Sequence, residues 1–287
     1  MKVFVMTDLE GVSGVVARPC TDGRLGHEIV NLPEAGALLT QELNACADGL
    51  AAGGATEIVA VDGHGQSNSL VHSMLHPRVS ASSLAGVVSP RSLGLGPDYA
   101  AAVQLGVHAM NGRVGFLTHT YAAGALAEMR LNGEPIGEVG IVILLAAYFG
   151  VPTALVAGDA AGCREAQEFI GFEIPTVVTK STPWRYTVIN RPIPEVHAEL
   201  TAKAEAALRM LSRIPVKVMK PPFELTVRWM SINTADDCEK RGAERLDNET
   251  VRWCGDDFLD LWAQEQGWGA GAHARKFPEL HAACVWK

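Results

Sequence analysis

Short, wholly apolar runs separated by helix-length stretches constrain this chain more than any other feature. Lys2–Thr7 and Glu57–Asp62 each read as a buried strand, and residues 33–53 between them have the Ala/Leu-rich composition of a helix that stops at Gly53-Gly54. Residues 139–149 and 152–157 repeat the alternation as helix and strand. Gly158-Asp159 then opens another helix, and residues 176–179 form a further strand. Strands apolar on both sides that alternate with helices pack as a parallel sheet covered on both faces. The expected fold is a doubly wound, mostly parallel, three-layer αβα sheet.

Two regions have a different texture. Asn111-Gly112 and Asn132-Gly133 are hairpin-turn dipeptides, so residues 103–137 are expected to contain antiparallel strands, within a hairpin-rich insertion of about residues 80–137. A helix is expected over 194–213. After Pro215 and the Pro221-Pro222 pair, residues 224–229 alternate as a strand, with Trp-containing turns beyond. The expected division is an α/β metal-binding catalytic domain over 1–215 and a smaller α+β C-terminal domain over 216–287. Residues 139–158 are apolar and about long enough to span a membrane, but Gly150 and Pro152 split them into a buried helix and a buried strand. No membrane is needed.

Charge narrows the partner. The 287 residues carry a formal net charge of −8 with an isoelectric point near 5.6. No Lys/Arg run provides the concentrated basic surface that nucleic acid requires. A small molecule is the expected ligand. Six cysteines stand singly without a C-x-x-C pair, and Met1-Lys2 runs into an apolar stretch too short for an export signal. Reduced thiols in a cytoplasmic protein are expected.

Several polar residues sit where strands end. Asp8 and Glu10 follow the first strand; residues i and i+2 of an extended segment point the same way, so both carboxylates can face one point beyond a strand's carboxyl end, where open sheets bind ligands. Two such charges repel unless a cation lies between them; alternatively, one of them caps a turn. His64, flanked by Gly63 and Gly65 after the strand ending at Asp62, is accessible for ligation, or is a surface histidine on an Asp-Gly turn. Asp62 can orient a neighbouring ligand. His108 and His119 each end an apolar run, a setting that also suits core histidines. If Asn111-Gly112 closed a two-residue hairpin, His119 would lie roughly 13 Å from His108 at ~3.3 Å per residue, and the two would take different roles. Glu138 begins the apolar helix, where the helix dipole favours a carboxylate anyway. His27, His72, His76, His197, His273 and His281 occupy surface-like or helical contexts and carry no assignment.

Taken in order, Asp8-Leu9-Glu10-Gly11, Asp62-Gly63-His64, Gly106-Val107-His108, Thr118-His119-Thr120 and Gly137-Glu138-Val139-Gly140 resemble the zinc-dependent D-aminopeptidases associated with bacterial dipeptide-transport operons. Val156-Ala157-Gly158-Asp159 is similar to that family's strand-to-helix junction, and the resemblance covers about residues 1–190. It implies that Asp8, Glu10, His64, His108 and Glu138 are ligands of a zinc pair, with Asp8 bridging and His119 the catalytic histidine. It also implies a homo-oligomer, a ring-like assembly enclosing the sites and a decamer by the same likeness. The tryptophans beyond residue 215 (Trp229, Trp253, Trp262, Trp268, Trp286) have no counterpart in it.

The implied ligand set is chemically coherent. Five ligands with one shared give each ion three protein contacts and an open position. Three carboxylates against two divalent cations leave about +1, which a hydroxide would neutralise. Mixed His and carboxylate donors suit zinc, with manganese or cobalt also compatible. The expected reaction is hydrolysis of a small peptide or amide at two metals about 3.5–4 Å apart, with His119 as general base or nucleophile. The alternatives are an amidase or deacylase on a non-peptide amide, and a metal-stabilised binding module without turnover. Nucleotide binding is weaker, because two acids occupy the place where phosphate needs bare backbone amides.

Overall fold

A computed structural model describes residues 1–21, 26–65, 68–83 and 94–286; residues 84–93 of the expected insertion lie outside them. The chain begins with β1 (Lys2–Thr7), a ribbon of β2 (Ala17–Pro19) and β3 (His27–Ile29), and helix α1 (Leu32–Ala52). Strands β4 (Glu57–Asp62), β5 (Val79–Ser83) and β6 (Ala101–Val107) follow, then β7 (Leu126–Leu131), β8 (Glu134–Pro135) and α2 (Glu138–Tyr148). Next come β9 (Thr153–Asp159), α3 (Ala160–Ile170), β10 (Thr176–Trp184), β11 (Thr187–Asn190) and α4 (Ile193–Arg209). The remainder is β12 (Phe223–Trp229), α5 (Ile232–Lys240), β13 (Glu244–Arg245), β14 (Thr250–Gly255), α6 (Phe258–Glu265), α7 (Ala272–Lys276) and α8 (Pro278–Ala282).

Among the described residues the main sheet has seven strands in the order β11-β10-β9-β6-β1-β4-β5. All neighbours are parallel except β11, which turns back on β10. The sheet is the doubly wound one expected. From β1 the chain winds outward through β4 to β5, then returns to β6 on the other side and winds outward again. The strand order therefore reverses between β1 and β6, the place where such sheets open a crevice at their carboxyl ends.

Side chains of β1 alternate between two cores, as a strand's period of two requires. Val3 and Val5 point into one core with Leu39 and Leu43 of α1 and Leu200 of α4. Phe4 points into the other, with Leu144 of α2 and Trp253, Trp262 and Trp286 of the C-terminal part. That second core is closed by an antiparallel sheet in the order β13-β14-β12-β7-β8. Helix α2 is wedged between main sheet and C-terminal elements, and every one of its residues except Glu138 is buried.

Asn132-Gly133 forms the expected hairpin between β7 and β8, with φ of 51° and 81° at its two turn residues. Asn111-Gly112 does not. Residues 103–107 belong to β6, whose two edges are already taken by β1 and β9, so no partner strand can fold back on them. The expected helix over 194–213 ends at Arg209 and continues as a short 3-10 turn, Leu211–Arg213.

Backbone contact at the strand ends requires glycine. Gly106 has φ +72°, and a Cβ there would stand 2.0 Å from the Asp8 carbonyl oxygen; one on Gly11 would stand 2.0 Å from that of Val107. Asp8 N–H donates to Leu105 O at 2.8 Å and Gly11 N–H to Gly106 O at 2.7 Å. The turn carrying Asp8 and Glu10 is thus laced against the end of β6, beside His108.

Candidate metal centre

Three adjacent strand ends supply the centre. Asp8 and Glu10 follow β1, His64 follows β4, and His108 follows β6; the 108–125 loop brings His119, and the first turn of α2 brings Glu138. His108 Nε2 lies 3.3 Å from Asp8 Oδ2 and 3.6 Å from Glu138 Oε1. Glu10 Oε1 is approached by His64 Nε2 at 3.5 Å and His119 Nε2 at 3.9 Å. All six residues named from the sequence meet here. The rings of His108 and His119 are stacked, with centroids 4.1 Å apart and planes at 7°, in place of the roughly 13 Å that a hairpin at Asn111-Gly112 would impose.

Backbone carbonyls fix two of the imidazoles. His108 Nδ1 lies 3.0 Å from Ala109 O and His119 Nδ1 lies 2.7 Å from Leu117 O. A carbonyl only accepts, so each Nδ1 carries the proton and each Nε2 lone pair faces the centre. His64 Nδ1 is 3.3 Å from Ser69 Oγ, and Asp62 accepts from the Ser69 and Leu70 N–H groups at 2.5 and 3.1 Å. Asp62 thus acts on His64 through the loop that it anchors. Glu138 Oε1 accepts from Tyr121 N–H at 2.6 Å, at a residue held at φ 51°.

The cluster's charges require balancing. Burial raises the Asp8 carboxyl well above its ordinary range, Glu10 adding to the effect, and burial likewise raises Glu138. Burial also opposes charge on His64 and His108, yet the surrounding carboxylates push these imidazoles up to about 9 and about 10. Glu10 is driven well below the usual range, its imidazole hydrogen bonds outweighing burial. His119 goes the other way: burial, reinforced by His108, lowers it to about 3. Glu10, 2% exposed, keeps Oε2 buried without a hydrogen-bond partner among the described residues, and overlapping trios of these donors lie within 4.8 Å of one another. Such a set fits divalent cations.

Three further residues reach the centre or the turn that carries it, among them His27, whose expected surface-like or helical context is replaced by a buried one. His27 Nε2 stands 3.3 Å from Glu10 Oε1; Gly26-His27 carries no local signal for this. Lys180, fully buried at the end of the apolar part of β10, donates to Glu10 O and Val15 O at 2.9 Å each. Thr179 Oγ1 donates to Gly11 O. Together they clamp the turn that carries Asp8 and Glu10. Burial lowers Lys180 to about 7 against the pull of Glu42, Asp159 and Glu10. A lysine closing a buried parallel strand was the signal available for it.

Glu42 of α1 accepts from Ser13 N–H at 2.8 Å, and burial drives it up to about 7 despite that bond and Lys180. A carboxyl raised above its ordinary 4.5 contributes fully below that pH, and the contribution is lost as pH rises through 7. Glu42→Gln is expected to gain roughly 3 kcal/mol relative to wild type between pH 4.5 and pH 8. Denaturant midpoints of both proteins at the two pH values check this; a difference that does not change with pH contradicts it.

Carboxylates and imidazole nitrogens converging at the switch point of a doubly wound sheet form a site of the kind that holds divalent metal, and the comparisons with known proteins make the chain a metal-dependent hydrolase. The chain belongs to the D-aminopeptidase family of peptidases, whose sequence profile matches residues 1–264, well beyond the roughly 190 residues that the motifs span. A D-aminopeptidase of Bacillus subtilis (strain 168) is 32% identical over 225 residues, which are 77% of this chain and 78% of that protein. The solved structure of the Zn-dependent D-aminopeptidase DppA from Bacillus subtilis, described as a self-compartmentalizing protease, superposes with a TM-score of 0.82 at 25% identity, covering 100% of both chains. Among the described residues, no helix is long and apolar enough to cross a membrane.

Proposed function

We propose that the protein is a binuclear zinc aminopeptidase that cleaves small peptides of D-configuration. Asp8, Glu10, His64, His108 and Glu138 hold the two ions, with Asp8 shared, and His119 is the catalytic histidine. The observation that carries this reading is the convergence of these donor groups on one another, with Glu10 Oε2 buried and without a hydrogen-bond partner among the described residues. Held there, the two divalent ions would supply Lewis-acid polarisation of a scissile carbonyl and a water of lowered pKa. His119, with Nδ1 tied to Leu117 O and Nε2 free, accepts the proton of the attacking water and returns it to the leaving amine. Burial keeps it neutral at physiological pH, the state that a base requires. Beside Asp8, His108 and Glu138 lies a cavity of about 60 Å³, walled by Met6, Leu105, Val139 and Val142, which gives a small apolar substrate group a place to sit.

A closed, ring-like homo-oligomer in the cytoplasm completes the proposal. The relative described as self-compartmentalizing supports assembly. So does the β10–β11 hairpin at the sheet's edge, where Trp184 and Ile189 are 71% and 63% exposed. The free cysteines suit a reducing compartment.

The test is elemental analysis followed by a substrate panel. Two zinc ions per chain are expected, with hydrolysis of D-aminoacyl amides and D-Ala peptides that a chelator abolishes and added zinc restores. Turnover of simple acyl amides alone would identify an amidase or deacylase; tight metal binding without turnover on any member would identify a binding module.

A further inference from the structure

We propose that His27 is a sixth protein ligand of the metal nucleus, giving the ion on the Glu10 side a fourth protein donor; this rests on the binuclear reading above. His27 lies on β3, which among the described strands pairs with β2 alone and forms a small ribbon beside the centre. The ribbon is partly open to solvent, yet the His27 side chain is only 8% exposed. Its ring centroid is 5.0 Å from that of His119, and Glu10, His27 and His119 each place a donor atom within 4.8 Å of the others.

Donor spacing separates ligands from bystanders. Tetrahedral donors about 2.0–2.2 Å from an ion stand about 3.3–3.6 Å from one another. The contacts His108–Asp8 at 3.3 Å, His108–Glu138 at 3.6 Å and His64–Glu10 at 3.5 Å fall in that window. His27–Glu10, at 3.3 Å, falls there too. His119–Glu10, at 3.9 Å, falls outside it. By this measure the His27–Glu10 contact groups with those of the ligands, while His119 shares donor trios with Glu10 and His27 and with His108 and Glu138 at the wider spacing of up to 4.8 Å. The buried Glu10 Oε2, without a hydrogen-bond partner among the described residues, is a second sign that a cation sits among these imidazoles.

The two ions are then unequal. Asp8, Glu10, His64 and His27 give one of them four protein donors, as in sites that retain their metal. Asp8, His108 and Glu138 give the other three, as in sites that keep a position for water. The ion held by His27 also ties the β2–β3 ribbon to the centre.

The test is zinc titration of metal-free protein against a chromophoric chelator, with cobalt absorption spectra in parallel, for wild type, His27→Ala and His27→Gln. In His27→Ala one of the two ions is expected to bind at least 10–100-fold more weakly, with an altered cobalt spectrum and the other ion unchanged. His27→Gln, which keeps a hydrogen bond to Glu10 but not an imidazole nitrogen, is expected to behave like His27→Ala. Wild-type affinity and spectrum in His27→Ala would overturn the inference. So would their return in His27→Gln, which would make His27 a hydrogen-bond donor to Glu10 and nothing more. If His27→Ala fails to fold, the glutamine variant decides alone. Wild type that takes up fewer than two ions overturns the binuclear reading and this inference together, whereas two ions in wild type with unaltered variants overturns this inference only.

Discussion

An Asp8→Ala protein is expected to retain at most one zinc ion per chain and to lose activity by roughly 10³-fold or more, since several kcal/mol of transition-state stabilisation goes with the metals. In the proposed ligand set Asp8 is the carboxylate that both ions share; its Oδ2 lies 3.3 Å from His108 Nε2, and its pKa is raised by burial and by the neighbouring Glu10. Removing it leaves His108 and Glu138 alone on one side, two ligands where three are needed, and takes one donor from the side of Glu10 and His64. The fold should survive. The hydrogen bond that the Asp8 side chain accepts from backbone among the described residues, Leu9 N–H to Oδ1 at 2.8 Å, is local, and the turn stays clamped by Thr179 and Lys180. Circular dichroism matching wild type, with zinc content and turnover both collapsed, is the result to look for. Two ions and full turnover in this variant would remove the whole ligand assignment.

His119→Ala separates the catalyst from the container. Zinc content should stay at the wild-type value while kcat falls about 10²–10⁴-fold, the usual worth of a positioned general acid–base. One structural fact supports the split: the His119 Nε2–Glu10 distance of 3.9 Å exceeds the spacing of the pairs assigned as ligands. The stacked His108 ring loses a neighbour, but His108 Nδ1 remains bonded to Ala109 O and its Nε2 remains aimed at Asp8. Loss of an ion along with the activity would show that His119 is a ligand, and the proton-transfer role would fall.

How much of this was readable in the chain varies by element. Lys2–Thr7 and Glu57–Asp62 were legible to the residue, because a strand apolar on both faces and bounded by polar residues has few other places to go. Asn132-Gly133 and Asn111-Gly112 look alike as dipeptides, and only the first turns a hairpin. The difference is tertiary: residues 126–131 lie beside a free edge for residues 134–135, whereas residues 101–107 are enclosed by β1 and β9. That enclosure sends the 108–125 loop back over the strand end and stacks His119 on His108, which no local spacing rule foresees. His27 was illegible for the same reason. It reaches Glu10 from a ribbon whose position over the sheet depends on contacts distant in sequence, such as Tyr186 Oη to Gly26 O. Lys180 and Thr179 act through backbone carbonyls of the turn that they hold, and such bonds leave no motif.

Helix α2 carries Glu138 at its tip while its other ten residues are enclosed by protein. A rod without a wet flank offers an engineer no silent position: enlarging a side chain anywhere along it pushes on one packed layer or the other, and the displacement is delivered at the carboxylate. Attempts to reshape the cavity beside the metals through Val139 or Val142 would therefore shift Glu138 along with the wall, and Met6 and Leu105, which line the same cavity, sit on the strands that lead into Asp8 and His108. Each of these walls is tied to a ligand, so a change in what the enzyme accepts is coupled to a change in how it holds its metals.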